Sequence, residues 1–584
     1  MKRCPECRRD YYDDTLLYCL DDGNALLEGP ASASNDEPAT AILSGFGVPP
    51  SGGPSSESPT RAQINTTDQT AILPTGTGDV VPKPRGLNKR LLAPFLLAIV
   101  VLGGFFGYRY LIPAGTEQIN SIAVLPFENR SGNADTDYLS DGLAESLIYR
   151  LSQLPNLKVS PTSSVFRYKG KETDPQVIAK ELGVDSVMTG RITQRGDSLT
   201  ISVNLVDTRN GKSLWGEQYE RKLSELLTTQ REIVAEIVGK LQLKLSGESE
   251  QKLAKKYTDN PEAYQLYLQG RFHWNKRTSA DFEQAVVFFK KAIEKDPNYA
   301  LAYAGLADTY ALFPDWVNGR PKEYMPQAKQ AALKALELDP NLAEAHASLA
   351  LITYYYDYDP AGAERSFKRS IELNPKYPSA RQWYGNFLIW AGRQDEGLRE
   401  NLKAAELDPF SKIIIWNLGS AFQFNGQYDE AIRQYQKIIE LFSDQRINDD
   451  IGNTYATQGK YQQAVEAYLN GYRFAKEIKP EEIQKLKESF EKGGWESFGR
   501  AKQEIDLSLL KASQAKDPNG YIKPYEIAKA YSWGKDKDKV IEYLNKAYED
   551  RSADVFRLRT DFTFAGMRDD PRFKELVKRV GIPE

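Results

Sequence analysis

The dipeptides Asp296-Pro297, Asp339-Pro340, Asn374-Pro375 and Asp408-Pro409 recur at intervals of 43, 35 and 34 residues. A period near 34 is that of a two-helix repeat, and it predicts an α-solenoid whose units bury their apolar faces only against one another. Twelve residues before each proline stands a small residue, Ala285, Ala328, Ala363 or Gly397. Phe289 and Phe367 lie eight before it, and Ala292, Ala335 and Ala404 five before it. Small residues let the paired helices approach, aromatics fill the gap to the next unit, and the proline stops the second helix. Leu418-Gly419, Gly426, Ala431 and Tyr435, then Ile451-Gly452, Gly459, Ala464 and Tyr468, keep the register without a closing proline. The second unit has about nine extra residues around Phe313 to Lys322, expected at the turn between its helices. The array is read as 258–515, with 480–515 helical but off-register, and 516–584 as a degenerate unit with a capping tail.

This pattern resembles the tetratricopeptide repeat (TPR), which implies a concave groove, formed by the first helix of each pair, that holds a peptide or protein. Counting from the packing positions, Gln382, Asn386, Trp416, Ser420, Gln423, Asp449 and Asn453 are expected to line it. The alternative for each is an ordinary solvated helix face. The lysines that clamp a peptide carboxylate in some repeats of this kind are missing from these positions, whereas Trp416 offers an apolar anchor.

Upstream, residues 117–248 alternate strand and helix signals. SIAVLPF reads as a buried strand, the next segment as a helix with Leu139, Leu143, Leu147 and Leu151 on one face, and LKVSP as a second strand. VDSVMTGRI and SLTISVNLVD flank Arg195-Gly196-Asp197, which fits a β-turn, and Asn210-Gly211 marks a hairpin before KSLWGEQYER. The blocks IAVLPFENRSGN, YLSDGLAESLIYRLSQLPNLKV and LVDTRNGKSLWGEQYER resemble the TolB N-terminal-like domain. That resemblance implies an α/β fold found also in CadC-like regulators and in cyclase- or kinase-associated repeat proteins, and it implies no catalytic activity.

Leu91 to Tyr108 contains no charged residue over 18 positions, enough helix to cross a bilayer. Residues 89–112 are therefore read as a single transmembrane helix. Lys83, Arg85, Lys89 and Arg90 precede it and Arg109 alone follows closely, so the positive-inside rule puts the N-terminus in the cytoplasm and everything after 112 outside it. Gly103 and Gly107 have a spacing suited to close helix approach, which fits a homodimer and equally the usual glycine content of spans. Residues 29–88, rich in Ser, Thr, Pro and Gly, are expected to be a flexible linker.

All three cysteines precede position 20. Cys4 and Cys7 have the spacing of a zinc knuckle; Cys19, with Asp22 where a fourth cysteine would stand, could complete a structural zinc site in a module of residues 1–28. The segment resembles the small zinc ribbons that open many bacterial membrane-anchored regulatory proteins. Its four basic and seven acidic side chains over residues 1–29 do not favour nucleic acid.

With two histidines in 584 residues and no glycine-rich phosphate loop, no catalytic constellation emerges. The fold class expected is multidomain α/β plus all-α: zinc ribbon, transmembrane helix, TolB-N-like domain and TPR solenoid. The function expected is a membrane-anchored, non-enzymatic scaffold that binds a protein or peptide partner in the cell envelope. The alternative is a signalling or transcription-regulatory protein with the zinc module as cytoplasmic output.

Overall fold

The computed structural model describes residues 119–475, 477–517 and 520–582, with three two-residue strands nearer the N-terminus. Those strands, β1 (Lys2–Arg3), β2 (Asp10–Tyr11) and β3 (Leu27–Glu28), form an antiparallel sheet with β1 in the middle. The expected zinc ligands Cys4, Cys7, Cys19 and Asp22, the linker 29–88 and the span 89–112 with Gly103 and Gly107 lie outside the described residues. Among the described residues no helix is long and apolar enough to cross a membrane.

Residues 119–240 form a mixed α/β domain. Strands β4 (Ser121–Val124), β6 (Lys158–Val159) and β7 (Ser186–Arg195) are parallel, and β8 (Ser198–Asp207) and β9 (Lys212–Lys222) continue the sheet antiparallel, in the order β6-β4-β7-β8-β9. Arg195-Gly196-Asp197 is the expected turn, with Gly196 at φ 61°, a left-handed conformation that glycine adopts without strain. The expected SIAVLPF strand is interrupted. Pro126 cannot donate to a ladder, and pairing resumes at β5 (Glu128–Asn129). Phe127 between them lies over Gly190, where a Cβ would come within 2.8 Å of the ring. Helix α1 (Asp137–Ser152) buries Leu139, Leu143, Leu147 and Leu151 completely, in one core with Leu199, Ile201 and Leu205 of β8. After the short α2 (Thr162–Phe166), α3 (Pro175–Leu182) starts with Asp174 accepting from the Gln176 amide and stops at left-handed Gly183. Helix α4 (Leu226–Lys240) covers β9, and α5 (Gly247–Ala254) leads to the repeats.

The all-α region follows as antiparallel pairs: α6/α7 (Pro261–Lys276, Ser279–Lys295), α8/α9 (Ala300–Trp316, Pro321–Leu338), α10/α11 (Ala343–Ile352, Pro360–Leu373), α12/α13 (Pro378–Trp390, Gln394–Leu407), α14/α15 (Lys412–Phe424, Tyr428–Phe442) and α16/α17 (Asn448–Thr457, Tyr461–Arg473). The small-residue pattern has the expected purpose. A Cβ on Gly270 or Gly305 would lie 2.6 Å from the Phe289 ring, and one on Gly419 2.5 Å from Tyr435.

The nine extra residues of the second unit do not form a longer turn. They lengthen its helices, leaving only 317–320 between α8 and α9, because Phe313 continues the buried face of α8 and meets the Tyr324 ring at 4.7 Å. Residues 480–516 form α18 (Pro480–Lys516), broken at Gly493 and at Gly494, whose φ is 62°. The last pair, α19/α20 (Pro524–Trp533, Lys537–Glu549), and α21 (Pro571–Val580) do more than cap the end of the array. They return to the second and third units. The Phe556 ring stacks on Tyr354 at 4.3 Å, and Lys523 Nζ lies 2.9 Å from Asp315 Oδ1.

Candidate peptide-binding groove and its seam with the α/β domain

The Asp-Pro and Asn-Pro corners have two roles. Proline has no N–H, so the first residue of the corner turns the chain by accepting from the amide just beyond the proline: Asp296 Oδ1 from Asn298 at 3.0 Å, Asp339 Oδ1 from Asn341 at 3.2 Å and Asn374 Oδ1 from Lys376 at 3.2 Å. The same corners receive the α/β domain and the linker after it. Thr258 Oγ1 donates to Asp296 Oδ2 at 2.5 Å and Lys255 Nζ to Asp339 Oδ2 at 2.6 Å. Lys376 Nζ is held by the carbonyls of Leu154, Pro155 and Leu157 at 2.8 to 2.9 Å. Ser163 and Ser164 both donate to Asp408, and the Arg167 guanidinium lies 4.3 Å from the Phe410 ring centre. The seam thus crosses four successive repeat corners.

Helix α1 also lies against the first repeat. Arg271 pairs with Glu145 at 2.6 Å and Tyr264 donates to Ser146 at 3.0 Å. Between the domains remains a cavity of about 310 Å³, whose lining includes Tyr149, Tyr267, Asp308, Glu344 and Tyr377. Burial pushes Asp308 up to about 6, against a hydrogen bond from Ser348 and the charges of Arg271 and Arg277. Burial likewise raises Glu344 to about 7.

The seven expected groove residues fall into three groups. Gln382 is 4% exposed, so it does not line an open groove. Its helix begins at the seam, where Tyr377 and Pro378 line the interdomain cavity. Five others are engaged with neighbouring helices, two of them across a repeat boundary and three within one repeat. Asn386 donates to Asn417 at 2.7 Å, Trp416 Nε1 to Asp450 at 3.2 Å, Ser420 meets Tyr435 at 3.2 Å, Gln423 accepts from Tyr435 at 3.1 Å and Asn453 accepts from Tyr468 at 2.7 Å. Trp416 nevertheless remains 36% exposed. Asp449 forms the third group, being exposed and without a hydrogen bond or ion pair to a described residue.

Asp449 and Asn453 open onto a second cavity of about 330 Å³ shared with α18 and α19. Its other walls, Tyr472, Lys502, Asp506, Lys529 and Trp533, are not marked by the repeat pattern, and two of them, Lys502 and Asp506, lie on the off-register helix. Lys502 is buried, donates to the Tyr472 hydroxyl and pairs with Asp506 Oδ2 at 3.0 Å.

Residues 117–236 match the family described as HilA/YgeH-like transcriptional regulator, second domain, and residues 414–445 match the tetratricopeptide repeat. The segment expected to be TolB-N-like is thus the part that is similar to the regulator's second domain. Putative adenylate cyclase 3 of Rhizobium meliloti is 34% identical over 187 residues, 32% of each chain. Transcriptional regulator HilA of Salmonella typhimurium is 23% identical over 324 residues, 55% of this chain and 57% of that one. The chain thus spans 32% to 57% of the length of these relatives. Solved repeat proteins align to parts of the chain: one from Parabacteroides merdae at 17% identity (49% of this chain, 99% of that one, TM-score 0.29), and YrrB, titled a TPR protein with an unusual peptide-binding site, at 22% (37% and 98%, TM-score 0.23). The chain is therefore similar to a HilA/YgeH-like second domain followed by tetratricopeptide repeats.

Proposed function

We propose that the chain is a membrane-anchored regulatory protein whose repeat region binds a protein or peptide and passes that event to the α/β domain. The seam supports this reading best: the α/β domain is tied to the third and fourth repeat corners and the linker after it to the first and second, so a change in repeat curvature would move or strain it. A passive scaffold would not need such a joint. Similarity to both a transcriptional regulator and a putative cyclase favours the signalling alternative over the scaffold. In this reading residues 91–108 span the membrane, the repeats lie outside the cytoplasm, and a zinc-held module of Cys4, Cys7, Cys19 and Asp22 is the cytoplasmic output.

The test is twofold. A photo-crosslinking residue at Asn453 should trap a protein partner in intact cells, and deletion of the gene should change transcript or cyclic-nucleotide levels. A trapped partner with both readouts unchanged would return the chain to a scaffold role. A maleimide that cannot cross membranes, applied to a cysteine at Ser420 in a variant lacking the native thiols, checks the topology. Protection until lysis would reverse it.

A further inference from the structure

The cavity below Asp449 has an unbalanced set of charges. Lys502 is paired with Asp506 and also enclosed by aromatic rings, its ammonium 5.3, 5.0 and 5.3 Å from the ring centres of Tyr468, Tyr472 and Trp533. Lys529 lies 3.2 Å from Glu526. Both cations of the lining are therefore neutralised by carboxylates of the chain itself, and an incoming anion would have to displace one of them. Asp449 is the carboxylate left over. It projects from α16 beside Asp450, whose oxygen already accepts from Trp416 on the preceding repeat. Loss of water at the cavity mouth raises the Asp449 carboxyl against the charges of Lys502 and Lys529, with Asp506 and Glu526 adding to the rise, and burial raises Asp450 against the charge of Arg557, with Asp449 adding to it, so a further cation at Asp449 would relieve both. The rest of the lining includes Leu509, Leu510 and the Trp533 indole, a surface suited to an alkyl chain.

We propose that this cavity takes a lysine or arginine side chain of a bound peptide, its stem along Leu509, Leu510 and Trp533 and its charge on Asp449. The proposal rests on the reading of the repeats as a peptide-binding groove and specifies what the peptide carries. Trp416, one repeat away, supplies an apolar contact for a neighbouring residue of the same peptide.

The test uses the full-length protein in detergent micelles on an array of random 12-residue peptides. The strongest binders are then measured by fluorescence anisotropy with wild type, Asp449→Asn and Trp416→Ala. Asp449→Asn removes charge at an exposed position, and an unchanged thermal melt checks that it folds. The expected result is enrichment of Lys and Arg among the binders, affinity at least tenfold weaker for Asp449→Asn, and weakening of the wild-type complex by added salt. Binders without a basic residue, or bound equally by Asp449→Asn but weakly by Trp416→Ala, would overturn this proposal and leave the groove standing. No binders at all, or binders indifferent to both substitutions, would overturn the groove reading with it.

Discussion

Ser164 Oγ donates to Asp408 Oδ1 at 3.1 Å across 244 positions of chain, joining the α/β domain to the fourth repeat corner. Burial raises the Asp408 carboxyl, and the two serine hydroxyls together with the Phe410 and Ser411 amides oppose that rise. Asp408→Ala removes the acceptor of all four groups. It should cost about 1–3 kcal/mol and increase hydrogen exchange in 160–166 and 405–412 together. Exchange rising at 405–412 alone would mean that the seam does not depend on this contact.

Gly419→Ala places a methyl 2.5 Å from the Tyr435 ring, in a space already filled. Overpacking of this kind costs about 1–3 kcal/mol, visible as a lower urea midpoint. Adding Tyr435→Leu should restore part of the loss. If the double variant is as unstable as the sum of the two singles, the clash is not the cause.

Phe556, buried against Tyr354, closes the C-terminal segment onto the third unit. Truncation to alanine should cost about 3 kcal/mol and expose the segment after 550 to limited proteolysis before the repeats are cut. Cleavage at unchanged sites and rates would show that the return of the chain is not held by this ring.

The cavity acids give stability a definite pH dependence. Asp308, at about 6, and Glu344, at about 7, hold protons when folded that they lose near pH 4 when unfolded. Their contribution is therefore complete below the unfolded pKa and disappears as pH rises through 6 and 7. For Asp308 alone the change is on the order of 3 kcal/mol. His346, whose pKa burial lowers, acts in the opposite sense below pH 6.5, so the comparison is with Asp308→Asn, in which it is unchanged. Tm should fall more steeply from pH 5 to 7.5 in wild type than in Asp308→Asn. Parallel slopes would refute the assignment.

Local features were legible where adjacent residues determine them. The corners, the Arg195-Gly196-Asp197 turn, the leucine face of α1 and Gly419 under Tyr435 all follow from spacing and steric volume. The repeat period alone places the extra residues of the second unit at a turn, whereas Phe313 and Trp316 keep the segment helical through Pro314 by packing on Tyr324 and Phe282. The groove was only partly legible. Five of its seven expected residues bond to neighbours on other helices, and Gln382 lies under the surface. Nothing local marks the corner aspartates as docking points, since Lys255 and Asp339 are 84 positions apart and Ser163 and Asp408 are 245 apart.

Those separations also impose an order in time. A ribosome adds roughly 5–20 residues per second, so Ser164 would emerge about 12–50 s before Asp408. During that interval the α/β domain must survive with its seam uncovered, completed corner by corner as Asp296, Asp339, Asn374 and finally Asp408 arrive. The repeats therefore act first as a late-arriving clamp on their own N-terminal neighbour, and a synthesis pause between the second and fourth corners would prolong its most vulnerable state.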